Sequence, residues 1–461
     1  MTSLSPAVLL PELVLVAGAL ACLIGGSFLR RTQQWMARIG AVVALAGSMA
    51  AAGVALAGPE QVAFGGSYRT DLTTGIVRLA VAGATLLVIW LGSDELAGSD
   101  RESETYTLLL LAATGSMILG GTQDLLVLAV GFLITGIPLY GLIGLARDRL
   151  SAEATLKTYL IGALAGIVML LGIVLLAGLT GTSSYSALTD RLPEAPAAVV
   201  ILGAVAVLVG LLFEAGAVPG HFWVPDATQA SSHTAAAFLT TVPKIGAVVA
   251  VARVVDVLPA AAHPTVLVGA VAVVTMTWGN LAAYPQTDAR RLLGWSTVSQ
   301  VGYLLVAAAL GLTTGGPALL FYLIGYPVTN LAAFAVVAAE PARRTLADHL
   351  GMSRTRPVLA GCLLIALLGL VGTPPTAIFV GKLLVASAAA AGGAAWLTVI
   401  LLVNTLISLF YYLRWLILVF RSAPDDPGTA LVRRPWATGA AVVAAAASVV
   451  VGLAAGSLLP G

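Results

Sequence analysis

The segment FEAGAVPGHFWVPDATQASSHTAAAFLTTVPK, residues 213–244, interrupts an otherwise apolar stretch of the chain. One apolar run leads into it and another begins inside it. Between them lie Pro219 and Pro225, His221 and His233, Glu214, Asp226 and a polar run, and Lys244 is set into the helix that follows. Charged groups and broken backbone are costly at membrane depth and are tolerated where they line a cavity or are buried in protein. If the flanking runs cross a bilayer, function is expected here.

The composition supplies that bilayer. Of 461 residues, 59% are hydrophobic and 10% charged, whereas a soluble domain carries about 25% charged residues. The chain reads as an all-α integral membrane protein. A net charge of +2 gives no reason to expect a nucleic-acid partner. Cys22 and Cys362 stand singly in apolar runs and read as small core residues. The four histidines lack haem or zinc spacing, and neither a phosphate loop nor a dinucleotide fingerprint is present. Redox chemistry is therefore expected on another chain. Twenty of the 23 basic residues are arginine, which suggests a GC-rich bacterial genome. The first apolar run is long enough to span and stay, so no leader is expected to be removed.

A span needs about 20 apolar residues. Fourteen candidates follow: 6–28, 36–57, 72–92, 106–121, 124–145, 156–179, 196–218, 236–256, 264–283, 292–312, 317–338, 357–390 (broken), 395–420 and 437–459. The loop charges agree with this division. Sixteen basic residues fall in or beside odd-numbered loops, against Arg69 and Arg191 in the even ones. By the positive-inside rule the odd loops are cytoplasmic and both termini face outward.

Two helices are expected to break, the seventh around Pro219–Pro225 and the twelfth at the Gly372-Thr373-Pro374-Pro375 run before Lys382. The breaks lie five spans apart, and an odd interval reverses helix direction. That pattern predicts an inverted repeat of helices 4–8 against 9–13. The expected organisation is a single membrane domain with N-terminal helices over 1–98, repeat halves over 104–256 and 264–420, and a closing helix over 437–459.

Lys157, Lys244 and Lys382 are the only lysines. A lysine at a helix centre costs about 2.5–3.5 kcal/mol on insertion scales. Lys244 and Lys382 are thus expected to line a cavity, where a buried amine suits a proton relay. Lys157 opens the sixth span and fits either a snorkelling anchor or a relay member. Glu214, just before the break, must be neutral or paired, and Lys244 is its candidate partner. His221 and His233 fit either proton transfer or loop hydrogen bonding. Arg414 fits a relay or a structural ion pair. Glu12, Arg253 and Asp256 read as interfacial, and Phe222 and Trp223 as packing.

At these residues the chain resembles the antiporter-like subunits of respiratory complex I, most closely the subunit N (complex I subunit 2) family. VPGHFWVPDATQ, residues 218–229, resembles the family's VPFHxWxPDxYQ. FLTTVPKIG, GTPPTAIFVGK and SAEATLKTYLIGA place the family's eighth-, twelfth- and sixth-helix lysines at Lys244, Lys382 and Lys157. The resemblance covers roughly residues 100–420 and implies proton translocation driven by quinone reduction elsewhere in a complex. It also implies other antiporter-like and small membrane subunits as partners, no cofactor on this chain, and quinone, FMN and Fe–S clusters on those partners. The expected location is a bacterial plasma membrane.

Two positions depart from the family. Its fifth-helix glutamate is Leu133 here, in GFLITGIPLY, and its seventh-helix lysine is Glu214, in FEAGAVP. The resemblance implies that this glutamate and lysine form the pair that gates transfer. Losing only the glutamate would strand a buried lysine, so the double change is physically coherent. Either the path is rewired through Glu214 and Lys244, or this half-channel is silent. The competing readings are an Mrp-type cation/proton antiporter and a non-conducting structural subunit.

Overall fold

The computed structural model describes residues 6–422 and 433–458. Residues 1–5 of the expected N-terminal unit, residue 459 of the last span and both chain ends lie outside that description. The helices are α1 (Leu10–Phe28), α2 (Trp35–Ala57), α3 (Leu72–Leu96), α4 (Glu102–Gly121), α5 (Leu125–Gly144), α6 (Arg149–Thr180) and α7 (Tyr185–Arg191). There follow α8 (Ala197–Ala215), α9 (Trp223–Ala230), α10 (His233–Leu239), α11 (Val242–Val257), α12 (Pro264–Ala283) and α13 (Ala289–Ala308). The rest are α14 (Gly311–Ala339), α15 (Met352–Thr355), α16 (Pro357–Val371), α17 (Ala377–Ala391), α18 (Ala395–Phe420) and α19 (Pro435–Leu453). A small antiparallel hairpin, β1 (Gln61–Ala63) with β2 (Tyr68–Thr70), joins α2 to α3.

Among the described residues, eleven helical stretches are long and apolar enough to cross a membrane. The α4 and α13 helices are not among them, and α16 and α17 are each too short. The physical reason is placement. Every residue of α13 from Leu292 to Ala308 is buried, including Ser296, Thr297, Ser299 and Gln300. A helix walled in by protein need not be apolar enough for lipid. The outer helices α1, α2, α18 and α19 instead turn many large apolar side chains outward. In a bilayer those side chains face lipid tails or neighbouring subunits. The α11, α13 and α14 helices form the enclosed centre.

Buried ion pairs tie the N-terminal helices to this centre. Glu12, expected at the interface, is buried instead, and Arg78 on α3 donates to both its oxygens at 2.7 and 2.8 Å. The Tyr68 hydroxyl donates to the same carboxylate at 2.8 Å. Arg253 is likewise buried rather than interfacial, and donates to Asp71 at 2.9 and 3.0 Å and to the Gly120 carbonyl at 2.7 Å. Asp71 also caps α3 by accepting from the Thr74 N–H. Burial alone would raise the Asp71 pKa; the guanidinium and Thr74 outweigh it and hold the carboxyl below its usual value.

Packing partners recur between the expected repeat units. The α4–α5 pairing has its counterpart in α12–α13, and α6 packs on α8 and α9 as α14 packs on α16 and α17. The α8–α11 contact corresponds to that of α16 with α18.

Candidate functional site

Both broken helices end for the same local reason. The α8 helix stops at Gly216, whose φ is +79°, and the N–H of Ala217 reaches back to the Leu212 carbonyl at 2.7 Å. The α16 helix stops at Gly372, φ +89°, and the Thr373 N–H reaches the Leu368 carbonyl at 3.1 Å. Left-handed backbone favours glycine, and this back-bonding closes a helix C-terminus. Pro219 and the Pro374–Pro375 pair come after these stops, and Pro225 sits in the first turn of α9, where the N–H it lacks has no intrahelical partner.

Each glycine also brings a lysine to the break. A Cβ on Gly216 would lie 3.4 Å from Lys244 Nζ, and one on Gly372 would lie 3.0 Å from Lys382 Cδ. Lys244 Nζ donates to the backbone carbonyl of Glu214 at 3.0 Å. Lys382 Nζ donates to the Val371 and Leu370 carbonyls at 2.9 and 3.3 Å. Each ammonium therefore occupies the negative end of a helix dipole, where a cation is favoured. Each also sits over an aromatic face, Lys244 at 4.3 Å from the Trp223 ring centre and Lys382 at 3.9 Å from that of Tyr303. Trp223, read as packing, thus also supports an ammonium.

The Glu214 side chain is placed differently from the expectation. It is fully buried, yet neither carboxyl oxygen has a hydrogen-bond partner among the described residues. Lys244 binds the main chain of Glu214, and no ion pair joins the two side chains among the described residues. The carboxyl turns toward α5, where a Cβ on Gly136 would lie 3.4 Å from Oε2. Leu133, one turn earlier on α5, points outward and is 45% exposed. The acid on this side of the break thus sits inside the bundle, whereas position 133 faces outward.

A polar stripe not singled out in the sequence runs from the carbonyl site of Lys382 to the junction of α10 and α11, which precedes Lys244. Tyr322, Tyr326 and Asn330 recur every four residues along α14 and so share one face. Tyr326 donates to the Thr240 carbonyl at 2.6 Å, and Asn330 donates to the Thr241 hydroxyl at 3.0 Å. Thr240 and Thr241 interrupt the expected eighth span, separating α10 from α11 two residues before Lys244. At the other end, Tyr322 donates to Gln300 at 2.6 Å, and Gln300 donates to the Leu370 carbonyl at 2.8 Å. That carbonyl is one of the two bound by Lys382. The recurring Tyr-x-x-x-Tyr-x-x-x-Asn spacing was the available signal.

The remaining expected residues lie apart. Lys157 is half-exposed and pairs with Glu153 at 2.6 Å and Asp226 at 3.3 Å. Asp226 also pairs with Arg291 at 2.6 Å. His233 Nδ1 lies 2.8 Å from Glu95, which also accepts the backbone N–H groups of His233 and Thr234. This contact docks α10 on α3. His221 is buried between the rings of Phe222 and Trp295. Arg414 donates to the backbone carbonyls of Tyr284 and Gln286, fastening the α12–α13 turn. Among the described residues, no group of three or more His, Cys, Asp or Glu is placed to hold a metal ion.

The chain is similar to known proteins in sequence and fold. Residues 122–408 match the family described as NADH:quinone oxidoreductase/Mrp antiporter, TM. NADH-quinone oxidoreductase subunit N of Mycobacterium sp. (strain JLS) is 52% identical, with 98% of this chain and 97% of that protein covered. A chain of respiratory complex I from Thermus thermophilus, solved with bound aureothin, superposes with a TM-score of 0.84 at 32% identity, covering 98% of this chain and 99% of that one. A chain of the Mrp complex from Dietzia sp. DQ12-45-1b shares the fold, with a TM-score of 0.86 at 20% identity over 99% of this chain and 96% of that one. The buried lysines, the two broken helices and these likenesses together place the chain in the NADH:quinone oxidoreductase/Mrp antiporter membrane family, on the branch of NADH-quinone oxidoreductase subunit N.

Proposed function

We propose that this chain is a proton-translocating membrane subunit of a complex I-type quinone oxidoreductase. The observation that carries the proposal is the pair of buried lysines, each at a broken helix end, with buried hydroxyl and amide groups on α14 placed between the Lys382 carbonyl site and the α10–α11 junction. In this reading Lys244 and Lys382 hold and release protons, and Glu214 exchanges a proton with Lys244 after a side-chain rotation. The Tyr322–Tyr326–Asn330 stripe supplies the groups between the lysines. Lys157, with Asp226 and Arg291, forms the charged cytoplasmic rim. His221, His233 and Arg414 hold backbone and helices in place. The partners are other antiporter-like and small membrane subunits, and these carry the quinone, FMN and Fe–S chemistry. The chain resides in the bacterial plasma membrane with both termini outside.

The test is donor-driven proton pumping in inverted membrane vesicles, with assembly followed on native gels. Glu214→Gln and Lys244→Met are expected to assemble, to support quinone reduction and to lose pumping. Normal pumping in both variants would refute the rewired path and leave a structural role. Transport that requires sodium and persists without a quinone reductase would favour an Mrp-type antiporter.

A further inference from the structure

Gly136 on α5 and Gly162 on α6 open a seat beside Glu214, and a tyrosine hydroxyl occupies it. A Cβ on Gly136 would lie 3.4 Å from Glu214 Oε2 and 3.5 Å from the Tyr140 hydroxyl oxygen, so both oxygens border one small gap. A Cβ on Gly162 would lie 2.1 Å from the same hydroxyl. Any side chain at Gly162 would therefore displace it. The Tyr140 ring is held edge-on against Tyr159, with ring centres 5.8 Å apart. Outward of this seat, a cleft of about 240 Å³ between α5 and α6 is lined by apolar residues such as Phe132, Leu133, Ile137 and Met169. Such a lining holds no water tightly, because ordered water needs polar partners. Tyr140 thus places a hydroxyl across one small gap from a buried carboxyl that has no hydrogen-bond partner among the described residues.

We propose that Tyr140 is the positioning residue for Glu214 and serves as its partner on the α5 side. A phenol can both donate and accept a hydrogen bond. With Glu214 protonated, its O–H donates to the Tyr140 oxygen. When the proton leaves the carboxyl oxygen for the Lys244 amine, the Tyr140 O–H turns and donates to the carboxylate. Tyr140 gains and loses no proton, so a neutral group serves both charge states of Glu214. A second carboxylate in this position would instead repel the first. The inference rests on Glu214 exchanging its proton with Lys244, as proposed above.

The experiment uses the assembled complex in membranes and reads two signals. Infrared difference spectra of wild type against Glu214→Gln isolate the carboxyl C=O band. Tyr140→Phe is expected to move that band to higher wavenumber and to lower protons pumped per quinone reduced by about five-fold, the equivalent of one hydrogen bond. Gly162→Ala keeps the phenol but pushes its hydroxyl aside, and should move the band in the same direction. The double variant Tyr140→Phe/Gly136→Ser puts a hydroxyl into the gap beside Glu214 Oε2, and should restore both band and pumping. An assembled Tyr140→Phe complex with an unmoved band overturns the proposal. A shifted band together with normal pumping in Glu214→Gln upholds the contact but defeats the Glu214–Lys244 path on which it was based.

Discussion

The two halves solve the same electrostatic problem with different means. In each, a lysine rests on the carbonyls at a glycine-terminated helix end and over an aromatic ring. The first half adds a fully buried acid, Glu214, beside its lysine. The second half surrounds Lys382 with neutral groups, Gln300, Tyr303 and Tyr322. Helix-end dipoles and π-faces therefore suffice to house a buried amine, and an acid is an addition with a separate purpose. In the first half the carboxyl faces α5 while the ammonium faces the backbone, and under the function proposed above that addition serves exchange with Lys244.

The largest expected effect comes from the helix stops. Gly216→Val adds left-handed strain of about 1–2 kcal/mol and overpacking of about 1–3 kcal/mol, since its Cβ would lie 2.6 Å from Val224. Gly372→Val meets only the flexible Lys382 stem at 3.0 Å. Native gels should show less assembled complex for the first than for the second. Equal losses would mean that the glycines act through backbone conformation alone.

Next in size are the lysines. Lys382→Met and Lys244→Met should each lower pumping by about 100-fold, the usual contribution of a positioned acid–base group. The two should differ in rescue. Glu214→Gln added to Lys244→Met should recover stability, because it removes an acid left without a cation, whereas no such partner exists for Lys382 among the described residues. A thermal assembly assay on the double variant decides this.

A smaller effect tests whether the acid can be moved. Leu133→Glu alone exposes a charge at membrane depth and should cost about 2.5–3.5 kcal/mol. Combined with Glu214→Lys it recreates the family arrangement and should regain part of the pumping. Failure of the double variant would show that the α5–α6 seat has diverged beyond a two-residue exchange.

The smallest effect lies at two histidines near the turns between helices. His233 rests on Glu95, whereas His349 is buried against Trp415 with the Thr345 carbonyl 2.9 Å from its Nδ1. Burial pushes the His349 pKa down to about 4. Because the unfolded imidazole titrates at its ordinary value of about 6.5, the stabilisation is complete above that pH and is lost as pH falls toward 4. The melting temperature of wild type should fall over this window, and His349→Gln should flatten the fall.

Much of this was legible in the sequence because lipid is an unforgiving solvent. Apolar runs, loop arginines and three rare lysines revealed helix placement, and the PDATQ and TPPT segments marked the breaks. What escaped was short-range and geometric. Glycine and proline adjoin at both breaks, and only backbone angles show that glycine ends the helix. The Thr240–Thr241 interruption is marked by Pro243 in the first turn of α11, a helix-start signal that hydropathy alone runs through. Glu12 and Arg78 are 66 residues apart, so nothing local announces their pairing. The Glu214 rotamer, turned from its expected partner, is set by space beside Gly136, which hydropathy does not register.

The eight-residue α9 helix has Trp223 at one end beneath Lys244, and its Asp226 bridges Lys157 on α6 and Arg291 on α13. It is about 12 Å long at the rise of an α-helix, short enough to move as a rod. Tilting such a rod displaces the indole and the bridging carboxylate together. The ring supporting the first half's ammonium and the salt bridge holding the second half's α13 are therefore carried one turn apart on a single short rod.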